Sequence, residues 1–138
     1  MREVLEERIR QWLGDPGSSV EYAEEVEGRW AVRMRQETRE ATTVWFEVGE
    51  RSIGYEAYLM PGPEEPAGVH RLALVRNMRA WRVFFAVDAE GAVVLRGRLP
   101  AHRVTLEELD LVLGEMYETI EVSFRPMLQI AKNGARKL

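Results

Sequence analysis

The sequence predicts an α+β domain in which one antiparallel sheet carries its helices on one face, in the order α-β-β-β-β-α-β-β-α. Three observations lead there. Six short segments alternate apolar and polar residues with period two, the pattern of strands buried on one side. Short links join the first four, so an antiparallel meander is the cheapest topology. Three longer segments repeat apolar residues at three- and four-residue spacing, as helices with one buried side do. Strands outnumber helices and few are joined by helical crossovers, which argues against a doubly wound parallel sheet.

Arg2 to Leu13 reads as the first helix, with Leu5, Ile9, Trp12 and Leu13 as its apolar stripe. Gly14-Asp15-Pro16-Gly17 ends it, since glycine suits the C-cap and proline cannot continue the ladder. A membrane-surface helix is the rival, weakened by Glu3, Glu6 and Glu7 among the arginines. Val20–Val26 and Arg29–Gln36 read as a hairpin closed by Glu27-Gly28. Gln36 to Ala41 is polar and reads as a loop. In Thr42–Val48, residues Val44, Phe46 and Val48 face one way and Thr43, Trp45 and Glu47 the other. After Gly49-Glu50-Arg51, Ser52–Met60 returns with Ile53, Tyr55, Ala57 and Leu59 on one side and Glu56 and Tyr58 opposite.

The proline-dense run Pro61–Pro66 breaks the sheet and reads as a crossover loop; the other reading of it is a ligand for a proline-binding partner. Ala67–Ala80 follows as a helix with Val69, Leu72, Ala73, Val75 and Met78 on its apolar side. Trp81 to Leu99 is a hairpin. Val83, Phe85 and Val87 face with Val93 and Leu95, and Gly91 takes the positive φ of the turn Asp88–Gly91. Thr105–Val122 is the last long helix, with Leu106, Leu109, Leu113, Met116, Tyr117 and Ile120 on one face. Thr105 and Glu108 have the spacing of a capping box. Pro126 is expected to interrupt this helix, and Met127–Ile130 to add a last apolar turn or short strand. Residues 1–130 thus read as a single domain, and 131–138 as a polar, frayed C-terminal tail.

At 138 residues the chain can bury a core without covalent staples, and 46% hydrophobic residues supply it. There is no cysteine, which removes disulfides, thiolate metal sites and thiol nucleophiles and suits a reducing cytoplasm. A net charge of −4 argues against bulk binding to nucleic acid or an anionic membrane. No apolar run approaches the ~20 residues of a membrane span. The N-terminus lacks the apolar core of a signal peptide. A cytoplasmic location is expected.

Nothing in the sequence reads as an active site. The pairs Glu24-Glu25, Glu64-Glu65 and Glu107-Glu108 fall at an edge, in a loop and at a helix start, where solvation or the helix dipole explains them. His70 and His102 stand in different elements, without metal-ligand spacing. The serines lack a nucleophile-elbow setting, and there is no glycine-rich phosphate loop. No catalytic residue, metal or cofactor is therefore expected. A small enzyme whose site forms only in three dimensions is the alternative.

The side of the sheet turned away from the helices is more informative. It should present Arg33, Arg35, Trp45, Tyr58, Phe84, Arg96 and Arg98, together with Glu47 and Glu56. Arginine, tryptophan and tyrosine are the residues enriched at interface hot spots. The expected partner is a protein or peptide segment, or a second copy of the chain in a homodimer. A nucleic-acid module would use the same arginines plus Arg71, Arg76, Arg79 and Arg82, with stacking on Trp45 or Tyr58, but the net acidity opposes it.

A family resemblance lies in a succession of features. They are Leu74-Val75-Arg76-Asn77 in a helix, the hairpin VFFAVDAEGAVVLRGRLP, then VTLEELDLVLGEMYETIE and Ser123-Phe124-Arg125-Pro126-Met127-Leu128. EYAEEVEGRWAVRM, TVWFEVGERS and the proline-rich loop add to them. This run, over roughly residues 1 to 130, resembles the YbjN family, whose members are labelled bacterial sensory transduction regulators. The resemblance implies a secretion-chaperone-like α+β fold. Type III secretion chaperones of that fold bind partner segments and often dimerise. It supplies no catalytic residue.

Overall fold

The computed structural model of the chain describes residues 1–136. Its elements are α1 (Arg2–Gly14), β1 (Val20–Val26), β2 (Arg29–Arg35), β3 (Ala41–Val48), β4 (Ser52–Met60), α2 (Pro66–Asn77), β5 (Phe84–Val87), β6 (Val93–Pro100) and α3 (Leu106–Arg136), with a 3-10 turn at Ala101–Arg103. This is the order read from the sequence. All six strands form one antiparallel sheet, β1-β2-β3-β4-β6-β5. In the β1–β2 turn Glu27 and Gly28 both take positive φ, 51° and 82°, the twist that suits a two-residue hairpin.

Period two decides which side is buried. Val32 and Met34, Val44 and Phe46, Ile53, Tyr55, Ala57 and Leu59, and Leu95 and Leu99 all point inward. Onto them α1 packs Leu5, Ile9 and Trp12, α2 packs Val69 and Ala73, and α3 packs Leu109, Val112, Met116, Ile120 and Met127. Phe46 sits at the centre, its ring 6.3 Å from Trp12 and 6.2 Å from Tyr55. The Trp12 indole N–H donates to Asp110 at 2.8 Å and ties α1 to α3.

Two polar side chains hold the β2–β3 loop. Glu121 of α3 accepts from the backbone N–H groups of Glu37 and Thr38 and from the Gln36 and Thr38 side chains. Burial raises its pKa, but these bonds outweigh that and hold the carboxyl below its ordinary value. Arg39 donates to the carbonyls of Tyr58 and Leu59 at 2.9 and 2.7 Å, supplying donors where β4 runs past the end of its pairing with β3. Its guanidinium stacks 4.9 Å from the Phe124 ring.

Several expectations are corrected. Leu13 is exposed, because α1 already turns its Leu5–Ile9–Trp12 stripe to the core. Val87 is exposed because it ends an outermost strand. On α2, Val75 and Met78 face solvent, and the helix stops at Asn77. Pro126 does not interrupt α3, and residues 131–136 are helical rather than a frayed tail; 137–138 lie outside the described residues. A proline at 126 withdraws the N–H that would bond the Val122 carbonyl. Arg76 of α2 donates to that carbonyl at 3.3 Å and replaces it. The end of α3 is then seated on the start of α2. A side chain at Gly68 would collide with Ile130, and one at Gly134 with Glu65. Thr105 caps α3 as expected, accepting from the Glu108 N–H at 3.0 Å, but the Glu108 carboxylate turns to Arg82 instead of closing the box.

Tyr55 yields a pH prediction. Its hydroxyl donates to the Arg82 carbonyl at 2.7 Å. Burial, reinforced by the nearby Glu115 carboxylate, pushes the phenol up from 10.0 to about 12. The fold therefore favours neutral Tyr55. Its contribution is complete below pH 10 and is lost as the pH rises through 12, at a cost of about 2–3 kcal/mol. Urea midpoints measured from pH 8 to 12 should fall in the upper half of that range. Tyr55→Phe should flatten the fall, while the raised Tyr22 and Tyr117 leave a residual slope.

Candidate docking surface

The outer side of the sheet is left uncovered by the helices. Cross-strand pairing places its residues in rows. One row runs Glu24–Ala31–Trp45–Glu56–Arg96–Phe84 across all six strands. A neighbouring row runs Tyr58–Val94–Ala86 over β4, β6 and β5. Another runs Arg29–Glu47–Gly54–Arg98 over β2, β3, β4 and β6. The strands are rigidly paired, so these positions are fixed before any partner arrives.

Trp45 is half-buried, directly opposite Ala31, with the Arg29 guanidinium 4.5 Å from its ring. Phe84 is 40% exposed and Tyr58 52% exposed. Trp45 and Phe84 stand three strand spacings apart, about 14 Å, and the loose Glu56–Arg96 pair at 4.0 Å fills the interval. Gly54 has no side chain to cover the sheet beside them. A hollow of about 220 Å³ opens there, lined by Arg29, Trp45, Glu47, Glu56, Arg96 and Arg98. Arg98 has no carboxylate within 4.0 Å among the described residues.

Of the residues singled out from the sequence, Trp45, Tyr58, Phe84, Arg96 and Arg98 therefore share one stretch of this face. Arg33 lies on the same face, opposite Thr43, but is already engaged, and Arg35 turns away from it. Arg33 is bonded to Glu21 at 2.9 Å and approaches Glu40. Arg35 reaches around the end of β2 to the Ser18 carbonyl at 2.9 Å and lines a hollow beside Tyr117 and Asp110. Sequence reasoning missed Arg29, whose place over Trp45 follows from the β2–β3 register. It also missed the exposed apolar residues Leu74, Val75, Met78 and Trp81 around the end of α2.

The carboxylates with shifted acidity have structural partners. Glu108 is held below its ordinary value by bonds from Arg82 at 2.9 and 3.0 Å, and Glu121 holds a loop. His70 lies on α2 and His102 in the 3-10 turn. Among the described residues no group of three histidines, cysteines or carboxylates could hold a metal ion. No helix among them is long and apolar enough to cross a membrane.

A six-stranded antiparallel sheet with three helices on one side and a bare second side is a secretion-chaperone fold. It matches a chain of the HopA1–SchA chaperone–effector complex with a TM-score of 0.63, over 90% of this chain and 92% of that one, at 10% identity. The chain belongs to the YbjN family, described as "Putative bacterial sensory transduction regulator", whose model matches residues 6–129. The crystal structure of YbjN from E. coli aligns over 94% of this chain and 91% of that one, at 17% identity and a TM-score of 0.48. An uncharacterized protein of Mycobacterium leprae is 34% identical over 103 residues, 74% of this chain and 56% of that protein. One of Mycobacterium tuberculosis is 33% identical over 84 residues, 60% of this chain and 46% of that protein. The chain spans about half the length of the curated relatives it matches.

Proposed function

We propose that this chain is a non-enzymatic, cytoplasmic adaptor or regulatory domain that docks a protein or peptide segment on the outer side of its sheet. The observation carrying this reading is the row Trp45–Glu56–Arg96–Phe84, with Tyr58 beside it. Large aromatic surfaces are spaced by guanidinium groups on a rigid support that the chain's own helices leave bare. Aromatic residues anchor an interface and arginines orient acidic groups of the partner. A likeness of fold to a chain from a chaperone–effector complex, and a family described as regulatory, are compatible with that role.

The test is a double substitution, Trp45→Ala with Phe84→Ala. Both side chains lie outside the core, so circular dichroism should remain that of the native chain. A protein retained from native lysate by the wild type, identified by mass spectrometry, should be lost by the double variant, as should any self-association through this face. Survival of every partner and oligomer would remove the sheet face from consideration.

A further inference from the structure

We infer that the groove bounded by α2, β5 and α3 is a second docking site, for an acidic amphipathic helix of another protein. Beyond the residues it gives to the core, α2 carries a second apolar stripe. Leu74, Val75 and Met78 recur at helical spacing, Trp81 follows just past the helix end, and all four are exposed, Met78 at 87% and Trp81 at 82%. Two hollows flank this stripe. The larger, about 660 Å³, is lined by Val75, Arg76, Arg79, Trp81, Phe85 and Val122. The smaller, about 220 Å³, is almost wholly apolar, lined by His70, Ala73, Leu74, Phe85, Val87 and Val93. Asn77 and Phe85 border both, so one elongated occupant can fill the two in sequence.

The backbone decides how that occupant docks. β5 is an outermost strand, and an extended peptide would normally pair with it. Here the Asn77 side chain occupies the Phe85 backbone, accepting its N–H at 2.8 Å and donating to its carbonyl at 3.2 Å. Glu115 takes the Val83 N–H at 2.9 Å. With those groups engaged, an extended peptide finds little of the edge free, which favours a partner that binds through side chains, as a helix laid in a groove does.

Charge decides its sign. From Pro66 to Val87 the chain has four arginines and no acidic residue, within a molecule of net charge −4. Among the described residues the one carboxylate lining either hollow, Glu115 of α3, is engaged by the Trp81, Arg82 and Val83 N–H groups. Arg71, Arg76 and Arg79 have no carboxylate within 4.0 Å among the described residues. An apolar stripe rimmed by guanidinium groups that face no carboxylate, Arg76 and Arg79 lining the larger hollow, complements an acidic partner. A second copy docked here about a two-fold axis would bring like charges together. A bilayer would leave both concavities unfilled.

The experiment uses the full chain and two labelled 18-residue helical peptides. They share leucines at the i, i+3, i+4 and i+7 positions and carry either glutamate or lysine elsewhere. In fluorescence anisotropy the glutamate peptide should bind saturably, at least tenfold more tightly than the lysine peptide. Met78→Asp, at a site already in solvent, should weaken it at least tenfold with native circular dichroism retained. Arg71→Glu with Arg79→Glu should reverse the preference between the peptides. Trp45→Ala should leave binding unchanged, which separates this site from the sheet face. No saturable binding, equal affinity for the two peptides, or indifference to Met78→Asp would overturn the inference. So would a dimer in sedimentation that Met78→Asp splits, or retention on phosphatidylglycerol vesicles in preference to either peptide.

Discussion

Gly97→Ala is expected to lower the stability of the fold by about 3 kcal/mol or more, the upper range for overpacking a filled core. Gly97 lies in β6 opposite Tyr55. A Cβ added there would collide with the Arg82 backbone carbonyl and lie 2.6–2.7 Å from the Tyr55 ring and hydroxyl. Neither neighbour can yield cheaply. The Arg82 carbonyl accepts the Tyr55 hydroxyl, the Arg82 N–H is held by Glu115, and its guanidinium is forked onto Glu108. Gly54→Ala is the matched control. Gly54 is in the paired strand β4, with nothing within 4 Å of an added Cβ, and the change should stay within about 0.5 kcal/mol. Urea midpoints for the two variants measure the difference. Equal midpoints would show that the 81–83 segment is free to move aside.

Glu115→Leu is expected to cost about 3 kcal/mol. One carboxylate oxygen of Glu115 accepts the N–H groups of Trp81, Arg82 and Val83 at 3.1, 2.9 and 2.9 Å. Bonds to a charged acceptor contribute about 1.5–3 kcal/mol each when lost singly. The three share one oxygen, and water can reach Trp81, so the total falls well below their sum. Amide hydrogen exchange should accelerate at residues 81–83 before it does in β3 or β4. Unchanged protection there would show that the clamp does not hold the connection between α2 and β5.

The element order and the two sides of the sheet were legible because a strand's period leaves no freedom. Once Phe46 and Val44 point inward, Trp45 must point out. The β1–β2 turn was legible for a similar local reason, its positive φ at Gly28. What could not be read was anything settled between distant residues. Val75 and Met78 are apolar at helical spacing, and nothing local says that α2 offers the core Val69, Ala73 and part of Leu72 instead. The local rule at Pro126 is sound, yet Arg76, fifty residues earlier, overrides it by taking the vacated carbonyl. Arg35 alternates correctly with Arg33 but sits at a strand end, where a long side chain can swing to the Ser18 carbonyl. Among the site residues, spacing identified the aromatic ones, whereas which arginines were already engaged was a tertiary fact.

The two borders of the sheet also bear on how the molecule behaves when crowded. At one border Asn77 occupies the Phe85 backbone. At the other, β1 breaks register between Val20 and Tyr22 and carries Glu21, Glu24 and Glu25. A distorted, acidic rim repels its like, and a strand pairing with amide side chains has little to offer another. Both borders of the sheet thus discourage growth, and concentrated solutions should resist stacking into cross-β fibrils.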